Sequence, residues 1–129
     1  MELKDSDIKK VLFVDGDDDF AEAITDVIIY QSKVPVQTTI YNTLSGAIKC
    51  FKEKSEYFHV IIVDIGMENE NDGYKFIKEI RDINKIIPIF ILTSDFPQKK
   101  KLEQFQPYRL FDKVYESEEM IQAICEYQQ

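Results

Sequence analysis

The sequence lacks any run of about 20 apolar residues, so its hydrophobic pattern predicts no transmembrane helix. Its polar N-terminus, MELKDSDIKK, has neither the apolar core of a secretory signal nor the composition of a transit peptide. Basic residues are also few, because 16 Lys and Arg stand against 24 Asp and Glu and give a net charge of -8. This balance argues against direct binding of nucleic acid. We therefore expect a cytoplasmic protein that binds neither membrane nor nucleic acid directly.

Cysteine and histidine are scarce as well. Cys50 and Cys125 lie in helical patterns and form no motif, so we expect free thiols in a reducing compartment. His59, the only histidine, precedes an apolar run, and we expect it to have a structural role. Without another histidine, the sequence offers no Ser-His-Asp or Cys-His catalytic group. No repeat, low-complexity tract or linker divides the chain. Residues 1–129 are therefore predicted to form a single domain.

What the sequence does contain is an alternation of strand-like and helical patterns. Five runs have strand length, the last being the weakest: 10–15, 34–41, 59–64, 86–93 and 109–114. Apolar residues at helical spacing separate them, although the short, basic segment 96–105 has little apolar face. Five such alternations predict an α/β fold with a parallel sheet, right-handed crossovers and helices on both faces.

Chemically active side chains follow four of these predicted strands. Asp15 and Asp17 come after the first strand, Asp64 ends the third, Thr93 ends the fourth and Lys113 belongs to the fifth. Ligands of such sheets bind at the carboxyl ends of the strands, so these groups should share one edge. Carboxylates there suit Mg²⁺, and a hydroxyl and an ammonium beside the metal suit a phosphoryl group. An aspartate in that position can accept the phosphoryl group itself.

Four motifs carry a family resemblance: VLFVDGD, VIIVDIGM followed by NDGYKFIKEIR, IPIFILTS, and LFDKV. In order and position they resemble the receiver domain of two-component response regulators, over nearly the whole chain. The resemblance implies a doubly wound, flavodoxin-like (βα)5 fold with strand order 2-1-3-4-5. It implies a signalling switch rather than an enzyme, with only self-phosphotransfer and autodephosphorylation. Its partner is expected to be a histidine kinase or phosphotransfer protein, while an effector domain or a homodimer stays open.

The resemblance also implies a role for each residue that matches a family motif. Asp64 is expected to be the phosphoacceptor, and Asp15 matches the first acid of a metal-binding pair. Thr93 matches the hydroxyl residue that bonds the phosphoryl group and moves on activation. Lys113 matches the lysine that contacts a phosphoryl oxygen. The backbone carbonyl of Gly66 is expected to be a Mg²⁺ ligand.

The most consequential departure from the family pattern is Gly16, which stands where receivers usually place the second acid of the pair. One hypothesis is that the loop bends so that Asp17 replaces the missing metal ligand, because glycine permits unusual backbone angles. The alternative is that Asp17 caps the first helix, whose amino end favours acids. For Asp18 and Asp19 we expect capping or solvation.

Other departures surround the predicted site. Glu68 holds a position where receivers usually have proline, and Gly73 arrives one residue late, which implies an insertion. Val114 replaces a proline that typically follows a cis bond, so the peptide before it should be trans or strained cis, since non-proline cis bonds cost about 3 kcal/mol. Leu110 holds the position of an aromatic switch residue, and Phe111, one residue later, should face the other side of the sheet.

Two alternative functions follow from these residues. Gly16, Glu68, Leu110 and Val114 favour a degenerate pseudo-receiver that acts as a phosphorylation-independent interaction module. The sequence Asp15-Gly16-Asp17 also fits the first motif of haloacid-dehalogenase-type phosphatases, with Asp15 as nucleophile. That family needs a further strand ending in paired acids after the lysine, whereas residues 114–129 contain only a helical pattern. The active receiver remains the leading interpretation.

Overall fold

The computed structural model describes residues 4, 7–67, 70–94 and 99–127. The strands are β1 (Lys9–Val14), β2 (Val36–Tyr41), β3 (Val60–Asp64), β4 (Ile89–Thr93) and β5 (Tyr108–Asp112). The helices are α1 (Asp18–Gln31), α2 (Leu44–Glu53), α3 (Glu70–Ile83), α4 (Lys99–Leu102) and α5 (Ser117–Glu126). A 3-10 turn, Glu103–Phe105, continues α4. The weakly predicted helix over 96–105 is thus a short one, and its first residues lie outside the described ranges.

The five strands form one parallel sheet in the order β2-β1-β3-β4-β5. This confirms the predicted α/β class and the strand order implied by the resemblance. Successive strands of a parallel sheet need crossover connections, and α1, α2, α3 and the short α4 segment provide them. In the described part of the chain, Lys113 to Tyr127 contain α5 and no further strand. The phosphatase alternative requires such a strand, and these residues do not supply it.

Two apolar layers enclose the sheet, because successive strand residues point to opposite faces. On one face, residues such as Leu12, Ile61 and Ile91 pack against α2 and α3. On the other face, Phe13 and Ile62, with their neighbours, pack against α1 and α5. The central strands are buried on both faces, which explains their continuous apolar sequences. β2 is only partly buried, as its alternating pattern predicted for an edge strand.

A buried lysine joins the start of the sheet to the end of the last helix. Lys9 is only 3% exposed, and its Nζ donates to the carbonyl oxygens of Ile124 at 2.8 Å and Tyr127 at 2.7 Å. These carbonyls lie at the C-terminal end of α5, where few backbone N–H groups remain as donors. The Ile124 carbonyl also accepts a longer hydrogen bond, at 3.3 Å, from the N–H of Tyr127. Burial lowers the pKa of Lys9, partly offset by the nearby Cys125. Lys9 therefore fixes α5 against β1.

Three further sequence predictions can be compared with the structure. Cys50 and Cys125 are free thiols, as expected. The peptide bond before Pro107 is the only cis bond among the described residues, so the bond between Lys113 and Val114 is trans, one of the two predicted alternatives. Of the helices that the described residues form, none is both long and apolar enough to cross a membrane.

Candidate functional site

A single ammonium group bridges two carboxylates at the carboxyl end of the sheet. Lys113 Nζ lies 3.0 Å from both carboxylate oxygens of Asp15 and 3.0 Å from Oδ2 of Asp64. The three residues come from the ends of β1, β3 and β5, so their sequence separation disappears in the fold. Asp15 is fully buried, and the side chain of Lys113 is 17% exposed. The predicted convergence of these three side chains is therefore observed.

Burial and the neighbouring charges have opposite effects on the pKa values of this cluster. Burial raises the pKa of Asp15, although the Asp17 amide and the Lys113 ammonium both favour its carboxylate form. Burial alone would lower the pKa of Lys113, but the hydrogen bonds and charges of Asp15 and Asp64 outweigh burial and raise it. With both acids ionised and the lysine protonated, the cluster carries a net charge of -1. It can therefore attract a cation, and its ammonium can meet an anionic group.

Each of the two acids also bonds the loop that follows it. Oδ1 of Asp15 accepts a hydrogen bond from the N–H of Asp17, and Oδ1 of Asp64 accepts one from the N–H of Gly66, both at 2.8 Å. These bonds hold the loops after β1 and β3 against the site. They also fix the orientation of each carboxylate. Asp64 accepts from Lys113 with its other oxygen, Oδ2, whereas Oδ1 of Asp15 accepts from both the Asp17 amide and Lys113. Gly66 itself is exposed on its loop.

The donor set suits a hard cation only in part. Oδ2 of Asp15 is buried and accepts no hydrogen bond, but the Lys113 ammonium lies 3.0 Å from it. Carboxylate oxygens are the ligands that Mg²⁺ prefers. Within the described ranges, however, no three His, Cys, Asp or Glu side chains are grouped so that they could hold a metal ion. Asp15 and Asp64 thus fit the predicted metal by their chemistry. The metal roles of Asp15, Asp17, Asp64 and Gly66 stay predictions.

Asp17, the candidate replacement ligand, is the N-cap of α1. Its Oδ1 accepts a hydrogen bond from the N–H of Phe20 at 3.0 Å, the arrangement that a capping acid makes. Gly16 does not adopt a positive φ, so the loop does not use the unusual angles that the replacement hypothesis invoked. A Cβ added to Gly16 would meet only the Met67 methyl group, at 3.9 Å. The observed geometry is the capping arrangement, and the site has room for a larger residue at position 16.

Sequence reasoning alone assigns Phe20 no role at the site. The Lys113 ammonium lies 4.5 Å from the centre of the Phe20 ring, within the range of a cation–π interaction. Phe20 occupies the first turn of α1, directly after the acidic loop. No local sequence pattern identifies this contact, because its partner Lys113 lies near the other end of the chain. The ring covers one side of the bridging ammonium.

Thr93 reaches the site through its backbone. It is buried at the end of β4, and its carbonyl oxygen accepts a hydrogen bond from the N–H of Lys113 at 2.8 Å. This bond ties β4 to the lysine loop and places residue 93 beside the cluster. The role predicted for its hydroxyl group in binding a phosphoryl oxygen stays a prediction.

Two departures from the family pattern have structural consequences. Phe111 is buried on the α1–α5 face, stacked on Phe90 at 6.2 Å, whereas Leu110 packs towards the α2–α3 face. The predicted offset of the aromatic residue is therefore confirmed. Gly73 is needed because an added Cβ would lie 2.8 Å from both Cβ and the carbonyl oxygen of Ile65. Glu68, the extra acid, lies outside the described residues.

Comparison with known proteins gives one family and many similar folds. The family model described as the response regulator receiver domain matches residues 11–125. The Mn²⁺-bound response regulator Rcp1 is 17% identical to this chain and superposes on it with a TM-score of 0.72. The match covers 94% of this chain and 97% of that one. A receiver protein from Sinorhizobium medicae is 18% identical with a TM-score of 0.71, covering 92% and 93%. At these identities the solved structures show the fold alone. No curated protein sequence matches.

Proposed function

The chain belongs to the response regulator receiver domain family, and we propose that it is an active phosphorylation switch of two-component signalling in the cytoplasm. In this proposal a histidine kinase or phosphotransfer protein donates a phosphoryl group to Asp64 in the presence of Mg²⁺. The modified domain then changes its interaction with a partner or effector domain. The observation that carries the proposal is the contact of one ammonium, on Lys113, with both Asp15 and Asp64 at 3.0 Å.

The chemistry proposed for this cluster is the transfer of a phosphoryl group from a donor atom of the kinase or phosphotransfer protein to a carboxylate oxygen of Asp64. An oxygen of Asp64 attacks phosphorus, a new O–P bond forms, and the bond between phosphorus and the donor breaks. Lys113 contacts Oδ2 of Asp64 before transfer, so a short movement brings its ammonium to an oxygen of the phosphoryl group. The Thr93 hydroxyl would donate to another phosphoryl oxygen. These groups stabilise negative charge where it develops.

The residues that would hold Mg²⁺ are Asp15, Asp64 and the carbonyl of Gly66, with Asp17 as a further candidate. When bound, Mg²⁺ would neutralise phosphoryl oxygens during transfer. Asp15 is fully buried and shares both its oxygens with Lys113, which supports a binding role for it rather than a nucleophilic one. Asp64 retains partial exposure and is the acid that a donor can reach.

A second candidate function is a pseudo-receiver that binds partners without phosphorylation. Three observations favour it: the absence of an acid at Gly16, the use of Asp17 as a helix cap, and the absence of a three-acid group in the described residues. In this interpretation the pair of Lys113 with Asp15 and Asp64 is a permanent structural contact. The two candidates predict opposite results for one experiment.

The experiment is intact-protein mass spectrometry after incubation with acetyl phosphate, with and without Mg²⁺. Wild type, Asp64→Asn and the exposed control Asp19→Asn are compared. The active receiver predicts a Mg²⁺-dependent gain of one phosphoryl group in wild type and the control, and no gain in Asp64→Asn. If wild type gains nothing at saturating donor and Mg²⁺, the pseudo-receiver is the better account. A gain that survives Asp64→Asn contradicts the assignment of the phosphoacceptor.

A further inference from the structure

The edge strand β2 has one unpaired side. Among the described residues it pairs only with β1, where the Lys9 amide donates to the carbonyl of Pro35 at 2.8 Å and the Asp15 amide donates to that of Tyr41 at 3.0 Å. In a parallel ladder these bonds use the backbone groups of every second residue. The N–H and C=O groups of the odd-numbered residues of β2 therefore point towards β1. The N–H and C=O groups of the even-numbered residues therefore point away from the sheet. These residues are Val36, Thr38 and Ile40.

This open edge lacks the features that usually prevent strands from pairing with other chains. Natural edges carry charged residues, prolines or bulges. The opposite edge strand, β5, contains Arg109 and Asp112 and directly follows Pro107. β2 contains neither charge nor proline, and no charged residue occurs anywhere from position 34 to 48, although 31% of the chain is charged. Pro35, just before β2, is an odd-numbered position, so its missing N–H removes no donor from the open edge.

We propose that β2 is a homodimer interface, in which the β2 strands of two copies pair antiparallel about a twofold axis at Thr38. Residues that exchange both hydrogen bonds must be outward-facing in both copies. The pairs are then Thr38 with Thr38 of the second copy, and Val36 with Ile40 of the second copy. The result is one continuous ten-stranded sheet with a closed, self-complementary contact.

The side chains of β2 suit pairing with a second copy, and the charge of the chain restricts where two copies can approach. Val36 and Ile40 pack on the α1–α5 side of the sheet, so this pairing keeps the corresponding faces of the two copies aligned. β-branched residues then lie opposite one another, which is favourable in cross-strand pairs. Two copies that each carry a charge of -8 repel one another over most of their surfaces. The uncharged edge is where they can approach without placing carboxylates opposite each other.

The contact is short, so we expect a dimer whose population depends on concentration. Val34, immediately before β2, is 44% exposed and would extend the apolar contact. Stable interfaces bury about 1,600 Å² in total, and a single six-residue strand pair with its flanking side chains is smaller. The proposal is independent of the phosphorylation site, since Lys113 and Asp64 take no part in the contact.

The test combines sedimentation equilibrium with amide hydrogen exchange measured by NMR over a wide range of protein concentration. We expect the average mass to rise from monomer towards dimer. Over the same range, exchange at the amides of Val36, Thr38 and Ile40 should slow. The amides of Gln37 and Thr39 bond β1 in every state, so their protection should not change.

Two variants with a matched control make the test specific. Gln37→Lys combined with Thr39→Lys places lysines opposite each other, because residue 37 pairs with residue 39 of the second copy, and should abolish the dimer. The control, Gln104→Lys with Gln122→Lys, also changes the net charge from -8 to -6 at exposed positions and should leave the dimer intact. Thr38→Pro removes the central outward donor without removing a β1 bond and should also abolish it. Thermal unfolding confirms that each variant is folded.

Three outcomes would overturn the proposal. A mass that stays monomeric at every concentration excludes the interface. A dimer in which the even-numbered amides of β2 exchange as fast as in the monomer uses another face of the domain. Equal disruption by the control pair of lysines would show that association depends on net charge rather than on the β2 edge.

Discussion

Replacing Gly16 with aspartate should restore the acid that the receiver pattern places beside Asp15, and should strengthen Mg²⁺ binding. The structure accommodates the change, because an added Cβ meets only the Met67 methyl group at 3.9 Å. The backbone at Gly16 has no positive φ, so a residue with a side chain fits without strain. The new carboxylate lies next to the loop that Asp15 already holds through the amide of Asp17.

The size of the effect follows from the charges at the site. Asp15, Asp64 and Lys113 together carry -1, and Gly16→Asp makes the total -2. A carboxylate about 5 Å from a divalent ion, at an effective dielectric constant of about 20, gains about 7 kcal/mol of Coulomb energy. Desolvation of both groups and the nearby Lys113 ammonium offset most of this gain. We expect about 1.4 to 2.7 kcal/mol to remain, a tenfold to hundredfold tighter dissociation constant.

Isothermal titration calorimetry with MgCl2 measures this change directly and does not depend on phosphorylation. Gly16→Asn is the matched control, because asparagine has nearly the same shape without the charge. Saturating Mg²⁺ should also raise the unfolding midpoint of Gly16→Asp more than that of Gly16→Asn. If the two variants bind Mg²⁺ equally, the electrostatic reasoning is wrong. If wild type already binds as tightly as Gly16→Asp, Asp17 completes the site despite its capping bond.

Three further predictions concern stability. Gly73→Ala should lower the free energy of unfolding in urea by about 1 to 3 kcal/mol, because its Cβ would overlap Ile65, while Gly16→Ala should change it by no more than about 0.5 kcal/mol. Lys9→Met should cost about 2 kcal/mol, since the Tyr127 carbonyl loses its donor and the Ile124 carbonyl keeps only the longer bond from the Tyr127 amide; an unchanged urea midpoint would contradict this. The pKa of Lys113 is raised above 10.5, so the stability it contributes is complete below pH 10.5 and lost as pH rises through the folded pKa. Over the pH range in which Asp15 and Asp64 are both ionised, wild type should therefore exceed Lys113→Met by a constant amount up to pH 10.5 and by a shrinking amount above it. A difference that grows above pH 10.5 would refute this sign.

The predictions that depended on local pattern were confirmed closely. The apolar runs ending at Asp15 and Asp64 predicted the two central strands to within a residue, because a strand buried on both faces must be apolar throughout. The alternating pattern of β2 predicted a partly covered edge strand. The offset of Phe111 from the expected aromatic position predicted its burial on the opposite face, since side chains alternate along a strand.

The features that stayed open or were missed concern contacts that only the folded backbone shows. Asp17 had two alternatives, and only the position of the Phe20 amide at the start of α1 shows that its carboxylate caps the helix. The contact of Phe20 with Lys113 joins residues 93 positions apart, and no local pattern encodes it. The edge of β2 became visible as an unpaired surface only when the sheet order placed that strand outermost.

The sequence by itself determined the class of fold, the order of its elements and the candidate chemical groups at the strand ends. Those features depend on the periodicity of neighbouring residues and on motifs that follow each strand. Only the tertiary structure decided which groups share a partner: one lysine contacts Asp15 and Asp64 together, while Asp17 turns to its own helix. The physical reason is that hydrogen bonds and salt bridges form only between atoms about 3 Å apart. A chain must be folded before distant residues come within that range.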